Sequence, residues 1–436
     1  MTDRYAGYTP AQRAAITTVG TSILVSAAAG SGKTTVLAER CAHLVCDLRC
    51  PVDRLLVVTF TDAAAAEMKS RIAAAIRRRM AEAADEGLRE QLYLLDSASI
   101  STIHSFCKTI VQKWFPQAGI DPQARVLAGE EAQLLREETL DALALELYAG
   151  SDELATGFHA LVDDYGGGSD FMVRQTLLSL HDFINSLPDP DAWLDRTLAA
   201  NDLSDERCVL TRLDEQQWQR LAAELDAQIE YGEAAAETIR VCWPVAAGLH
   251  ASGIDEHVLQ LRAWREALGR KPAGWRAVAA DICAFEFERA ASRPRDLSDE
   301  DKAAYECAKA LRDETKDLFR SRLQDACCRF TADEYREGLE RIAPYVRTLV
   351  ALVRRFDERY RQAKAEQAVL DFNDLQRYAL RLLTDENDPT KPSEVARQLQ
   401  AQYEHVLVDE FQDIDPLQET ILRMVSRETA DPPQGN

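Results

Sequence analysis

Two signals at opposite ends of the chain constrain its fold more than anything between them. Near the start, "ILVSAAAGSGKTT" (23–35) runs from an apolar stretch into Gly-Ser-Gly-Lys-Thr-Thr. Near the end, "HVLVDEFQD" (405–413) runs from an apolar stretch into Asp409 and Glu410. A phosphate-binding loop needs backbone N–H groups that can approach an anion, a lysine for the β and γ phosphates, and a hydroxyl for a divalent cation. Gly30 and Gly32, Lys33 and Thr34 supply those parts in that order. An acidic pair closing an apolar strand supplies the other half: one carboxylate for the shell of a Mg²⁺ ion, one to orient and deprotonate water. If both halves serve one nucleotide, most of the 436 residues must be inserted between them.

The loop departs from the common G-x-x-x-x-G-K-[ST] pattern at Ala27, where the first glycine belongs. An alanine there costs nothing as long as its φ stays negative, because only positive φ penalises a Cβ. Ala28, Ala29, Ser31 and Thr35 complete the expected ATP-binding segment, and Gln12 in "YTPAQRAAI" offers a carboxamide suited to adenine.

Four short apolar runs predict buried parallel strands: 22–25, 55–60, 100–103 and 405–411. Each ends in polar residues, as open α/β sheets require when they gather chemistry at the carboxyl ends of their strands. The stretch 63–80 predicts a helix with Ala65, Met68, Ile72, Ile76 and Met80 on one face, capped by Thr61 or Asp62. From about 116 to 365 helical patterns dominate, with turns or linkers at "YGGGSD" (165–170), "SLPDPD" (186–191) and "SRPRDLSDE" (292–300). The expected fold class is α/β: a P-loop parallel-sheet domain, formed by 1–115 and 366–436, with a large all-helical domain, 116–365, inserted into it.

Composition narrows the function classes. No apolar run reaches the length of a membrane span, and the N-terminus lacks the pattern of a secretory leader. Ten scattered cysteines read as free thiols in a reducing compartment, Cys41, Cys46 and Cys50 included. A net charge of −22 argues, taken alone, against a polyanion partner. Lys69, Arg71, Arg77, Arg78 and Arg79 stand out against that background but read as a solvated helix face.

These pieces, in this order, resemble the superfamily 1 DNA helicases of the UvrD and Rep type. "TPAQRAAI" is similar to their adenine-reading segment and "AAAGSGKTT" to their variant P-loop. "TFTDAAAAEMKSRI", "STIHSFC", "VLDFNDL" (369–375) and "VDEFQD" resemble further motifs. Within that group the chain most resembles the AddA-type component of the bacterial AddAB helicase–nuclease, over most of 5–195 and 355–425. The resemblance makes the sheet domain RecA-like and implies ATP and Mg²⁺ as cofactors and a bacterial cytoplasmic protein. As partners it implies single-stranded DNA, duplex DNA and an AddB-type protein, and as activity 3′-to-5′ translocation in double-strand-break repair and recombination. It places Gln12 on adenine, residues 27–35 and Gln412 around the triphosphate, and Thr34 and Asp409 on Mg²⁺. Lys33 and Glu410 become the catalytic pair, Glu410 as base, with Asp413 coupling the γ phosphate to its neighbours. Thr59, Phe60, Thr61, His104, Ser105 and Phe106 fall on a single-stranded DNA track. It further implies that the chain is an N-terminal portion, with the second motor domain and the nuclease beyond it, and that alone it turns over little ATP. The rival readings are a UvrD-like repair helicase without nuclease and a nucleotide-dependent binding module without motor activity.

Overall fold

The computed structural model describes residues 5–28, 30–83, 85, 87–121, 124–204, 206–287 and 297–429. It is mostly helical around a small parallel sheet and divides into two compact units, Met1–Asp195 with Thr348–Asn436, and Arg196–Arg347. These limits fall inside the expected helical span of 116–365. Helices Gly129–Ala149, Glu153–Asp164 and Phe171–Asn185 thus belong with the sheet.

The sheet consists of β1 (Leu55–Thr59), β2 (Ser99–Thr102) and, after the short strands β3 (Arg125–Val126) and β4 (Val369–Leu370), β5 (His405–Val408). Its order is β2-β1-β5, all parallel, with Val57 opposite Ile100 on one side and Leu407 on the other. β1 is buried throughout because both faces are covered, which is why it reads as an unbroken apolar run. Leu55 and Val57 face Cys41, Leu44 and Val45 of α2 (Lys33–Cys46) and Met68, Ile72 and Ile76 of α3 (Asp62–Ala83). Leu56 and Val58 face helices Ile103–Lys113, Phe372–Leu383 and Pro416–Val425. Each of these aliphatic side chains contributes about 1.5–3 kcal/mol when fully buried.

Three of the four expected strands form; the fourth does not. Residues 22–25 adopt no regular structure, and Leu24 is 81% exposed. A strand exists only through a ladder partner, and β5 is paired on its β1 side alone among the described residues. The apolar run of 22–25 therefore signals burial that this arrangement does not provide.

The α3 pattern appears as expected, with Ala65, Met68, Ile72 and Ile76 buried and the Ala64 amide donating to Thr61 Oγ1 at 3.1 Å. Arg71, Arg77 and Arg78 are exposed, as a solvated face requires, but Arg79 departs from that face. Arg79 is fully buried and donates to Glu39 at 3.2 Å and Asp47 at 3.0 Å, tying α3 to α2, and Arg78 also pairs with Glu39. Gly167 and Gly168 adopt positive φ in the turn at 165–170. Residues 292–296 of the expected linker lie outside the described residues; Ser298 then caps helix Asp299–Leu318.

Every regular element among the described residues of the second unit is a helix, around a core that includes Leu225, Trp264, Trp275 and Phe319. Asp214 accepts from Trp275 Nε1 at 2.8 Å and from Arg276, satisfying the indole where it is buried.

Replacing Arg79 by Ala leaves Glu39 buried with only Arg78 to balance it. The expected loss is near the lower end of the ~3–5 kcal/mol typical of breaking a buried ion pair, read from the urea midpoint. An unchanged midpoint would show that the α2–α3 ion cluster contributes nothing net.

Candidate functional site

At the start of α2 the N-cap is Gly32, with φ 85°, and no side chain caps the helix. Its first N–H groups are thus left for an outside acceptor, and the helix dipole adds to their pull on an anion. Gly30 also has positive φ, whereas Ala27 does not, so its Cβ costs nothing there. The loop is held by its own residues: Ser31 donates from its amide and its hydroxyl to the Ala28 carbonyl, at 3.2 and 2.7 Å. Ala29 lies outside the described residues. Gln12 donates to the Ser31 carbonyl at 3.0 Å while its oxygen accepts from the Thr9 amide, so the carboxamide joins the capping box of α1 (Pro10–Thr17) to the loop. Thr35 accepts from Arg71 of α3 at 3.0 Å.

The acidic pair arrives from the far end of the chain. The Asp409 amide donates to the Val58 carbonyl at 2.9 Å, extending the β1–β5 ladder by one rung. Glu410 then turns into the left-handed region, φ 52°, a conformation that costs of order 1–3 kcal/mol for a non-glycine residue. The turn brings its carboxylate to 3.2 Å from Lys33 Nζ and to 2.5 Å from Gln412 Nε2. The hydrogen bond from Gln412, then that from Lys33, hold the Glu410 carboxyl below the usual range. Asp409 goes the other way: partial burial, then the neighbouring Glu410 charge, raise it. A half-buried carboxylate beside a second carboxylate suits a divalent cation, and Thr34 stands on the first turn of α2, next to Lys33.

A second group of residues lies where β1 and β2 end. The register sets Thr59 opposite Thr102, so the segments that follow, 60–61 and 103–106, leave the sheet as neighbours. Phe60 is exposed and Thr61 is exposed at the cap of α3. Ser105 is half-buried, its amide donating to Thr102 Oγ1. His104 accepts from Gln376 Nε2 at 2.7 Å and packs edge-on against Phe372, centroids 5.2 Å apart. Burial pushes the His104 pKa below the ordinary histidine value, so it is a neutral group. Thr59 is buried and bonded to the Thr61 carbonyl. Phe106 corrects the expectation: it is buried in the core against Tyr403 and presents no face to a base.

The description that matches this chain, over residues 8–431, is the UvrD/REP helicase N-terminal domain. The chain belongs to the UvrD/REP helicase family. The A component of the ATP-dependent helicase/nuclease of Moorella thermoacetica is 37% identical to it, over 97% of this chain and 30% of that protein. The proteins of the same name from Geobacillus thermodenitrificans and Clostridium perfringens are each 36% identical, over 96% and 98% of this chain and 34% and 33% of theirs. The chain spans about a third of the length of the curated relatives it matches.

Membership of the UvrD/REP family implies ATP use, and Lys33 of the loop and Glu410 of the acid pair stand in one place. Reading the sequence missed Phe372 and Gln376, which reach the β2 end from helix Phe372–Leu383. The motif "VLDFNDL" was the available signal, but only the pairing of β3 with β4 places it. Among the described residues no helix is long and apolar enough to cross a membrane.

Protonation competes with a cation at Asp409, and its raised pKa moves that competition to higher pH. Mn²⁺ affinity, followed by proton relaxation enhancement, is expected to fall with decreasing pH before the ordinary aspartate range, ~3.9, is reached. Glu410→Gln removes one of the two raising causes and should move the fall to lower pH. A pH-independent affinity through that window would contradict the assignment.

Proposed function

We propose that this chain is the ATP-binding portion of an ATP-dependent 3′-to-5′ DNA helicase and translocase. The parent protein would belong to a helicase–nuclease acting in double-strand-break repair and recombination in the bacterial cytoplasm, with an AddB-type partner. The observation that carries the reading is the 3.2 Å contact between Lys33 and Glu410, residues from opposite ends of the chain. The architecture proposed with it is a RecA-like domain from 1–115 and 366–436 carrying a helical insertion, 116–365. The internal position of the all-helical unit Arg196–Arg347 supports it.

In this reading the uncapped start of α2 and residues 27–35 cradle the triphosphate, and Gln12, already at the loop, reads adenine. Thr34 and Asp409 hold Mg²⁺, which supplies charge neutralisation on the phosphates when bound. Lys33 exchanges Glu410 for the phosphates as ATP enters. That exchange removes one of the two contacts that keep the Glu410 carboxyl acidic, and the phosphate charge opposes its ionisation further. Glu410 thereby becomes a stronger base for water just when substrate is present. Gln412 stays on Glu410 and orients it, and Asp413, beside Gln412, links the site to its neighbours. An arginine brought to the transition-state charge by a second element contributes ~10³–10⁵ in rate in related NTPases.

Single-stranded DNA lies along the ends of β1 and β2. Phe60 offers a stacking face, Thr61 and Ser105 offer hydroxyls to phosphates, and Phe372 extends the platform beside a neutral His104. Duplex DNA is engaged outside this track.

Fluorescence anisotropy with labelled oligodeoxythymidine tests the track. Affinity should fall linearly with salt on logarithmic axes, as contacts to phosphate require. Phe60→Ala should weaken binding by ~1–3 kcal/mol, the usual worth of one stacked base. No binding at low salt would favour a nucleotide-dependent assembly module instead.

A further inference from the structure

The sheet's other end, away from the nucleotide site, gathers three metal-ligand side chains that neither ATP nor DNA would touch. Cys50 lies five residues before β1, and Glu404 and His405 sit at the start of β5. One ligand atom from each of the three lies within 4.8 Å of the other two. From Cys50 Sγ, Glu404 Oε2 stands at 3.5 Å. A zinc ion ~2.3 Å from sulfur and ~2.0 Å from oxygen, at a tetrahedral angle, holds its sulfur and oxygen ligands about 3.5 Å apart. His405 Nδ1 is buried and has no hydrogen-bond partner among the described residues. A buried ring nitrogen without a partner carries a desolvation cost that a metal bond would relieve.

The neighbours position this trio. Glu404 is fixed from two sides: its amide donates to the Arg54 carbonyl at 2.8 Å, and Arg54 Nη1 donates to Oε1 at 2.7 Å. That pairing leaves Oε2 turned toward Cys50, in the manner of outer-shell contacts that orient metal ligands. Cys50 itself is mostly buried, with 6% of its surface still exposed. Arg40 and Arg427 also stand near enough to His405 to act on its charge. Both are engaged with backbone carbonyls, Arg40 with Ala15 and Thr18, Arg427 with Gln400 and Tyr403. Their positive charge opposes a divalent ion and limits how tightly it is held.

We infer that Cys50, Glu404 and His405 form a Zn²⁺ site with a fourth position open to water, clamping the segment before β1 to the start of β5. A thiolate, an imidazole and a carboxylate together suit Zn²⁺ better than Mg²⁺ or Ca²⁺, which take oxygen ligands. The thiol gives up its proton to the solvent as the metal–sulfur bond forms, with no change of oxidation state. The clamp is structural: it lies at the amino ends of β1 and β5, whereas Glu410, the partner of Lys33, follows the carboxyl end of β5, so it takes no part in phosphate chemistry.

Titration of the metal-free 436-residue chain with Co²⁺, in a phosphine reductant, tests the site. One ion per chain should bind, with a thiolate-to-cobalt charge-transfer band and the visible bands of a four-coordinate centre, and Zn²⁺ should displace it. Cys50→Ser should abolish the charge-transfer band. His405→Gln should weaken Co²⁺ binding by roughly tenfold or more. Cys283→Ser, at an exposed cysteine, should change neither. Absence of the band in the unaltered chain, or its survival in Cys50→Ser, overturns the inference. Should Cys50→Ser fail to fold, alkylation of the unaltered chain decides. Zn²⁺ should slow modification of the Cys50-containing peptide by roughly tenfold or more, and equal rates with and without the ion would overturn the site.

Discussion

One rung of a parallel ladder sets the geometry of this protein. The Asp409 amide bonds to the Val58 carbonyl, one position beyond the last register pair, Val58 with Val408. Lys33 is measured from the same strand, because α2 packs on the face of β1 that carries Leu55 and Val57. The lysine and the acids are therefore located by a common reference although most of the chain separates them. The alternation of β1 protects that reference. A slip of one residue would exchange the Leu55/Val57 face for the Leu56/Val58 face and move Asp409 off its rung. Hydrophobic patterning, which carries no chemistry of its own, thus decides whether the lysine and the acidic pair meet.

Charge is distributed otherwise than composition implies. The chain is strongly acidic, and several basic groups of its most basic helix are engaged within the fold: Arg79 and Arg78 with Glu39, Arg71 with Glu67 and Thr35, Lys69 with the Asp96 carbonyl. Several of these contacts tie α3 to α2 and so brace the helix on which the phosphate loop ends. The ends of β1 and β2 present hydroxyls, backbone groups and the exposed face of Phe60.

Much of the site was legible because its parts are local. Gly30, Gly32, Lys33 and Thr34 are read from adjacent letters, and Ala27 from the rule that only positive φ excludes a Cβ. The strand 55–59 was legible because burial on both faces writes an unbroken apolar run, whereas 99–102 and 405–408 are mostly half-buried and showed only through Ile100 and the apolar letters of 406–408. What failed depended on partners. Residues 22–25 carry the same kind of run, but nothing in a sequence states whether a neighbouring strand will be there to pair. Phe106 looked like a stacking face because exposure is not encoded in an aromatic letter; its place on the inward side of helix Ile103–Lys113 decided otherwise. Arg79 was hidden for the same reason, since its carboxylate partners come from a different helix. Cys50 was grouped with Cys41 and Cys46 by proximity in the chain, whereas the residues that face it, Glu404 and His405, lie at the other end.

Lys33 and the acidic pair must act on one bound nucleotide if this site is to handle ATP. The most direct measurement is a double-mutant cycle on the affinity for a fluorescent ATP analogue with Mg²⁺, using Lys33→Ala, Asp409→Ala and the combined variant. Groups that share one ligand should be coupled, with an interaction energy in the range of ~0.5–3 kcal/mol, so that the combined loss differs from the sum of the two single losses. Strictly additive losses, or full affinity in either single variant, would show that the lysine and the aspartate do not serve a common triphosphate.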